Sequence, residues 1–449
     1  MNLLKKGAAL AAGALLMLPW IGALPAFAEQ PNSAEDELND GTFTYELVDG
    51  SYTITHCRTD AMMTELPELV NGYAVTAIGD QAFIGCTYIS DLKIPESIKR
   101  IGDSAFAGCT SLETITLPSK LTTLSASTFF GCTALKELDI PDGVTYIGDY
   151  CFYNCNSLTS LELPSSLDTI QEMAFAECAA IDSFDASKCS KFTFSDGILY
   201  TTGKTEIIRA STKLAGDVYI GDTVTSIRPG AFSLCYDVEH VFLPSSVTYI
   251  GEDAFGYCKG LKSVDFSYGL NTIDDIAFKF CTALESVDLP SSLSTIGDGA
   301  FYNCQALSKA VIPESVSSIG TGAFLSCPNL KQVSVPGSVS SIGDSAFGFS
   351  ESSSTGEYQP VPGFAMSVFD GSAGHKYARS NDIEFTVVDR SLKKVAFIII
   401  AVGAIIAAAI FAVVLMIRGR KSASAAVKKA DKEAKEASED ENYKGILDE

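Results

Sequence analysis

Apolar residues recur along most of this chain with a period of 23 residues. Phenylalanine occupies the same place in eleven units, at positions 83, 106, 129, 152 and 175 and again at 232, 255, 278, 301, 324 and 347. Counted from each Phe as position 0, most units have cysteine at +3, leucine at +6, apolar residues at +9, +11, +15 and +18, proline at +12 and alanine at +22. A fixed period of this length, kept over eleven units, is typical of repeat proteins.

Each unit predicts a short strand, and the units together predict a solenoid. The apolar residues at +9 and +11 alternate with polar ones, as in a strand, and proline at +12 ends the strand because it lacks an N–H for a ladder. A single 23-residue coil cannot bury its own apolar side, whereas stacked coils can, with parallel strands about 4.8 Å apart. We therefore predict short parallel strands stacked in a right-handed coil over residues 79–350.

The period is interrupted once, where the step from Phe175 to Phe232 is 57 residues instead of 23. Three short apolar runs lie in this gap, within 191–211, and turn residues separate them. They predict extra strands with tight turns, which form an irregular insertion at 179–231 rather than a second domain.

The repeat resembles that of a known family. Residues 284–304 read LESVDLPSSLSTIGDGAFYNC, which matches the pattern LxxVxLPxxVxxIGxxAFxxC of the BspA-like, or treponemal-type, leucine-rich repeat. The resemblance extends over roughly 42–388 and implies an N-terminal cap within 29–78 and, after a loop, a C-terminal cap within 351–388. It also implies a bacterial surface or secreted protein that acts in adhesion and recognition and has no shared catalytic site.

The two ends of the chain predict export and membrane anchoring. Residues 1–28 have a basic start, an apolar run and the small residues Ala26 and Ala28, as a secretory signal peptide has; an uncleaved membrane helix is the alternative. Residues 395–417 contain no charge and are long enough to cross a bilayer, the alternative being a buried core helix. The signal peptide places the ectodomain outside and the tail, 418–449, in the cytoplasm, either solvated or as a helix near anionic lipid.

The charge is concentrated in the predicted ectodomain. Residues 29–394 hold 22 of the 32 basic and 47 of the 55 acidic residues, an acidic excess of 25. Such a surface repels nucleic acid and anionic lipid. It favours cations, basic protein patches or uncharged glycans.

The cysteines predict packing rather than chemistry. Ten of the thirteen stand at +3, where a regular ladder about 4.8 Å in spacing does not bring sulfurs to the 2.05 Å of a disulfide. The absence of CxxC and of cysteine–histidine spacing argues against zinc, and we expect buried free thiols. Cys57, Cys151 and Cys189 lie outside the ladder, and a disulfide among them stays open. His56 and Cys57 are adjacent and would face opposite ways on a strand.

Outward residues of the strand row, at +8 and +10, are the candidate binding residues. Asp139, Glu162 and Asp185 form one acidic cluster at +10, which is either a site for calcium or a basic ligand or a surface that keeps the sheet soluble. His240, Phe242 and Lys309 flank a second cluster, Asp265 and Asp288, and predict a mixed binding patch.

No motif favours an enzyme. The three histidines are not part of HExxH, and neither a GxSxG elbow nor a P-loop occurs; carboxylate pairs on the strand row leave a hydrolase as the weakest alternative. The sequence favours a membrane-anchored surface solenoid that binds proteins or glycans, as an adhesin or, alternatively, as an envelope scaffold for cell-wall polymers or partner membrane proteins.

Overall fold

A computed structural model describes residues 37–352 and 356–388 of the 449-residue chain. A regular coil typically contributes one short strand to a first row, a two-residue strand to a second row, and a turn around the repeated Phe; the coil that contains Asp139 lacks the first strand. The solenoid of parallel strands with 23-residue repeats is thus confirmed.

The first row, called the front sheet below, is formed by the strands at +8 to +10. Its strands are parallel, and in each regular coil the middle residue is buried while the +10 residue is exposed or partly exposed. The strands are Asp91–Lys93, Thr114–Thr116, Ser160–Glu162, Ser183–Asp185, Ala215–Tyr219, Asp237–Phe242, Ser263–Asp265, Ser286–Asp288, Lys309–Val311, Gln332–Ser334, Ala365–Val368 and Glu384–Val387.

Strands of the second row end at the Ile or Leu of position +18, which is buried except for the partly buried Ile342 of the last coil. Wherever strands of this row pair with each other they are parallel, and the register does not shift between regular coils. They are Tyr73–Ile78, Arg100–Ile101, Thr123–Leu124, Tyr146–Ile147, Thr169–Ile170, Ser226–Ile227, Tyr249–Ile250, Thr272–Ile273, Thr295–Ile296, Ser318–Ile319 and Ser341–Ile342.

The third side of each coil is a turn that holds the repeated phenylalanine. The backbone N–H of one Phe donates to the residue before the next Phe, as from Phe301 to Ala323 at 2.8 Å. Within each run the rings stack directly on one another, with centroids 4.9–5.8 Å apart. Aromatic stacking thus runs along the core parallel to the two strand rows.

Separate elements close the two ends. At the N-terminal end the strands Glu37–Asn39, Phe43–Val48 and Ser51–Cys57 are antiparallel, and the last of these pairs with Tyr73–Ile78, beside Leu69–Val70. At the C-terminal end a hairpin of Phe349–Glu351 and Tyr358–Pro360 precedes a helix, Ala373–Ser380, whose N-cap is Ser372. These elements cover the edges that the strand rows would otherwise expose.

The insertion between Phe175 and Phe232 contains three strands and one short coil. Phe192–Ser195, Ile198–Thr201 and Glu206–Ala210 form an antiparallel unit, and the third strand pairs in parallel with Ser226–Ile227. On the turn side, the regular coils before and after the insertion are in direct contact. The Glu177 N–H donates to Ser233 Oγ at 3.1 Å, and the Arg228 guanidinium donates to the Ile170 carbonyl at 2.8 Å. The three inserted strands therefore extend the second row, and the insertion is bypassed on the turn side.

A buried charge cluster lies where the insertion is bypassed. Lys279 Nζ is 3.1 Å from Asp253 Oδ1 and 3.5 Å from Glu177 Oε1, and the side chains of Lys279 and Asp253 are 3% and 0% exposed. Burial raises the pKa of Asp253 to about 7, and the Lys279 cation offsets part of that rise. Lys279 thus links Glu177, before the insertion, to a coil after it.

The predicted signal peptide, membrane helix and cytoplasmic tail, at 1–28, 395–417 and 418–449, lie outside the described residues. Within 37–352 and 356–388, no helix has the length and apolar character that crossing a bilayer requires.

Candidate functional site

The front sheet presents its +8 and +10 side chains as two columns on one surface. This placement follows from strand geometry, since residues two apart point to the same side and the apolar residue between them points into the core. From the insertion onward, the +8 column contains Asp217, His240, Ser263, Ser286 and Lys309, and the +10 column contains Tyr219, Phe242, Asp265, Asp288 and Val311.

The first predicted cluster is spread over three coils and is partly neutralised. Glu162 pairs with Asp185 on the next strand, and Lys188 forms an ion pair with Glu162 at 2.5 Å. Hydrogen bonds from the Ser187 side chain and N–H lower the pKa of Asp185. Asp139 is exposed in a coil whose front segment forms no strand.

No group of three or more His, Cys, Asp or Glu side chains converges as metal ligands in the described part of the chain. Calcium binding at these acidic rungs therefore stays a prediction.

The second predicted cluster is brought together as one continuous surface. His240 and Phe242 lie on one strand, with His240 Nδ1 2.7 Å from Ser263 Oγ and Phe242 opposite Asp265. Two coils farther on, Lys309 donates to Asp288 at 2.8 Å. Asp288 and Lys309 therefore neutralise each other at one end of the surface, and the aromatic residue lies at the other.

Tyr219 is a residue of this surface that the sequence reasoning missed. Its ring stacks on that of Phe242, with centroids 4.5 Å apart and planes 5° apart, and the residue is 70% exposed. The signal for it was present, because Tyr219 stands one period of 23 residues before Phe242. It was overlooked because the outward +10 column was not continued backward from Phe242 into the insertion.

A pocket of about 320 Å³ opens beside this aromatic pair. Its apolar lining includes the buried residues Ile198, Val218 and Val224, and its polar lining includes Asp196, Lys204, Asp217 and Thr223. Lys204 Nζ lies 5.2 Å from the centre of the Tyr200 ring. The insertion builds this pocket, because its hairpin supplies one wall and its short coil supplies the other.

The cysteines form a buried row that supports the fold. Twelve of the thirteen are buried, Cys189 is half-buried, and all are free thiols. In eight coils the thiol donates to the carbonyl of the Phe in the preceding coil, over 2.9–3.2 Å. The ladder of free thiols agrees with the prediction.

The disulfide left open among Cys57, Cys151 and Cys189 is not present. Cys57 and Cys151 are buried at different coils, and Cys189 Sγ points to the Leu167 carbonyl at 3.5 Å. His56 is exposed while Cys57 is buried, because neighbouring strand residues face opposite sides.

Comparison with known proteins gives one family and a set of similar structures. The model of the BspA type leucine rich repeat region matches residues 74–200 and 225–354, in six copies. No curated protein matches the chain.

Among solved structures, the pneumococcal vaccine antigen PcpA is 18% identical, covers 79% of this chain over 98% of its own, and gives a TM-score of 0.54. A leucine rich cell surface protein from Faecalibacterium prausnitzii is 24% identical, covers 69% of this chain over 94% of its own, and gives a TM-score of 0.45. The similarity to PcpA supports the fold.

Proposed function

The chain belongs to the BspA-type leucine-rich repeat family of bacterial surface proteins, and on this premise we propose that it is a membrane-anchored binding module whose ligand contacts the front sheet. Proteins of this family are generally protein-binding and typically have no catalytic activity. In the proposed topology, residues 1–28 direct export, 395–417 cross the membrane and 418–449 lie in the cytoplasm.

The observation that carries this proposal is the exposed Tyr219, stacked on the partly buried Phe242 beside the pocket. Large aromatic side chains on a soluble surface mark binding sites when they form a patch with polar neighbours. Both residues are on strands that the solenoid holds in place, so a ligand finds a rigid surface and little ordering is needed on binding.

The experiment compares the full-length protein with two variants, all displayed on cells. One variant is Tyr219→Ser, and the control variant changes Asp139, Glu162 and Asp185 to their amides. Binding of soluble host matrix proteins, glycans and isolated cell-wall sacculi is measured with and without calcium. We expect an adhesive ligand to bind the wild type and to bind the Tyr219→Ser variant at least about tenfold more weakly, since aromatic residues dominate interface energies.

Loss of binding in the amide variant, with the Tyr219→Ser variant unaffected, would move the site to the first acidic cluster. If the binding that the amide variant loses also requires calcium, a cation site at Asp139, Glu162 and Asp185 would be supported. Binding that neither variant changes would place the ligand outside the front sheet and contradict the proposal.

An envelope scaffold is the second candidate, and the spacing of the chain favours it. The last strand of the C-terminal cap ends at Val387, and the predicted membrane helix begins at Val395. Such a short connection would keep the solenoid close to the membrane. Binding to sacculi alone, with no host protein bound, would favour the scaffold over the adhesin.

A further inference from the structure

We infer that the front-sheet site takes a basic peptide segment, with an arginine side chain on the Tyr219–Phe242 pair and a neighbouring apolar side chain in the pocket. This inference rests on the proposed function and names the ligand chemistry of the same site.

The first argument is the charge that remains unpaired around the aromatic pair. Two of the +10 acids have cationic partners, since Glu162 forms an ion pair with Lys188 and Asp288 forms one with Lys309. Asp217 and Asp265 are exposed and take part in no ion pair among the described residues. A cationic ligand would supply the partner that these two carboxylates lack.

The second argument is where these two carboxylates lie. Asp217 is on the same strand as Tyr219, two residues before it, and Asp265 lies opposite Phe242 on the next strand. Strands in a sheet are about 4.8 Å apart, so the carboxylates flank the stacked rings on two sides. A basic peptide laid across these strands therefore meets a carboxylate on each side of the rings.

The third argument is the chemistry of the rings themselves. A cation over an aromatic face is attracted by the ring quadrupole, and arginine adds flat stacking to that attraction. The chain already uses this contact twice nearby, with Lys204 over Tyr200 at 5.2 Å and Lys259 over Tyr236 at 5.3 Å. Tyr219 carries no lysine or arginine of the described chain in this way and is 70% exposed.

The pocket supplies the apolar part of the site. Its volume of about 320 Å³ and its buried aliphatic lining suit one aliphatic or aromatic side chain next to the basic residue. A neutral sugar would also stack on Tyr219, but it would leave both carboxylates without a cation. The acidic excess of 25 in residues 29–394 favours the basic peptide over the neutral glycan.

The test uses the full-length protein in detergent micelles and three labelled probes. These are a peptide of repeated Arg-Leu-Gly, the same peptide with Gln for Arg, and a neutral N-acetylglucosamine oligomer. Affinity is measured by fluorescence anisotropy at about 50 mM and about 500 mM NaCl, for the wild type, Asp217→Asn/Asp265→Asn, Tyr219→Ser, and the charge-matched control Glu162→Gln/Asp185→Asn. Thermal unfolding of each variant reports whether it is folded.

We expect the Arg peptide alone to bind, more weakly at high salt. Asp217→Asn/Asp265→Asn should weaken binding about fivefold to tenfold, Tyr219→Ser by a similar factor, and the control less than about twofold. Equal affinity for the Arg and Gln peptides, binding of the sugar alone, or an equal loss in the control variant would overturn the inference. If a protein ligand found on cells is lost in Tyr219→Ser while the Arg peptide does not bind, the proposed function stands and the ligand chemistry is wrong.

Discussion

The cysteine at +3 acts at the scale of a single side chain. Each is small enough for the coil interior, and in eight coils its S–H donates to a Phe carbonyl of the preceding coil. Alanine would fit but would not donate, and a longer residue would push the coils apart. Burial raises the pKa of most of these thiols, to about 12 for Cys132, so they are not nucleophiles at neutral pH.

The native protein should therefore be nearly inert to thiol reagents. At about pH 8, we expect 5,5′-dithiobis(2-nitrobenzoic acid) to modify at most one of the thirteen cysteines rapidly, because only Cys189 is partly exposed. After unfolding in guanidinium, all thirteen should react. Fast reaction of several thiols in the native protein would show that the ladder opens, and fewer than thirteen after unfolding would show that a disulfide exists.

The regular coil is the element that the repeated residues build together. The glycine at +19 leaves room for the preceding coil, since a Cβ on Gly297 would lie 2.5 Å from backbone atoms of Asp274 and Asp275. The aspartate that follows in many coils accepts a backbone N–H of the next coil, as Asp298 after Gly297 does from Thr321 at 2.6 Å. Part of the acidic composition thus holds coils together and is not available to ligands.

Replacement of one such glycine tests this account. Gly297→Ala forces the two backbones apart, and we expect the free energy of unfolding to fall by about 1–3 kcal/mol. The matched control is Gly221→Ala, because no atom lies within 4 Å of a Cβ at that position; its effect should stay below about 0.5 kcal/mol. Urea denaturation followed by circular dichroism measures both, and similar losses in the two variants would contradict the account.

At the scale of the whole molecule, the insertion divides one solenoid into two stacked parts. The stacked phenylalanines stop at Phe175 and resume at Phe232, and the buried residues form two main clusters, one on each side. On the turn side, direct contacts and the buried Lys279 cluster join the two parts. The pocket lies within the insertion, between its hairpin and the strand Ala215–Tyr219.

Removal of the buried cation should loosen this junction. Lys279→Met leaves Asp253 buried without its cation, and we expect the free energy of unfolding to fall by about 3–5 kcal/mol at about pH 8. The loss should shrink toward about pH 5, because burial raises the pKa of Asp253 to about 7 and the neutral acid needs no cation. The control Lys309→Met breaks an exposed pair and should cost less than about 1 kcal/mol. Equal losses in the two variants at about pH 8, measured by urea denaturation, would refute the role of Lys279.

The sequence by itself determined the repeat, the front sheet and the inward thiols. A period of 23 residues places Phe301, Cys304 and Ile319 in the core of one coil, and equivalent residues occupy the same places in the others. This worked because each coil contacts mainly its neighbours, so local periodicity and tertiary packing contain the same information. His240 and Phe242 were found in the same way, from their places in the two outward columns.

Only the tertiary structure decided what happens at the insertion. Tyr219, Lys204 and Asp196 are separated by irregular sequence and come together because a hairpin and a short coil fold around one pocket. The pairing of Glu162 with Lys188, and of Glu177 with Lys279 across 102 residues, likewise depends on chain paths that no period predicts. A repeat fixes only contacts between equivalent positions, whereas a binding site formed where the repeat is broken depends on how the irregular segment packs.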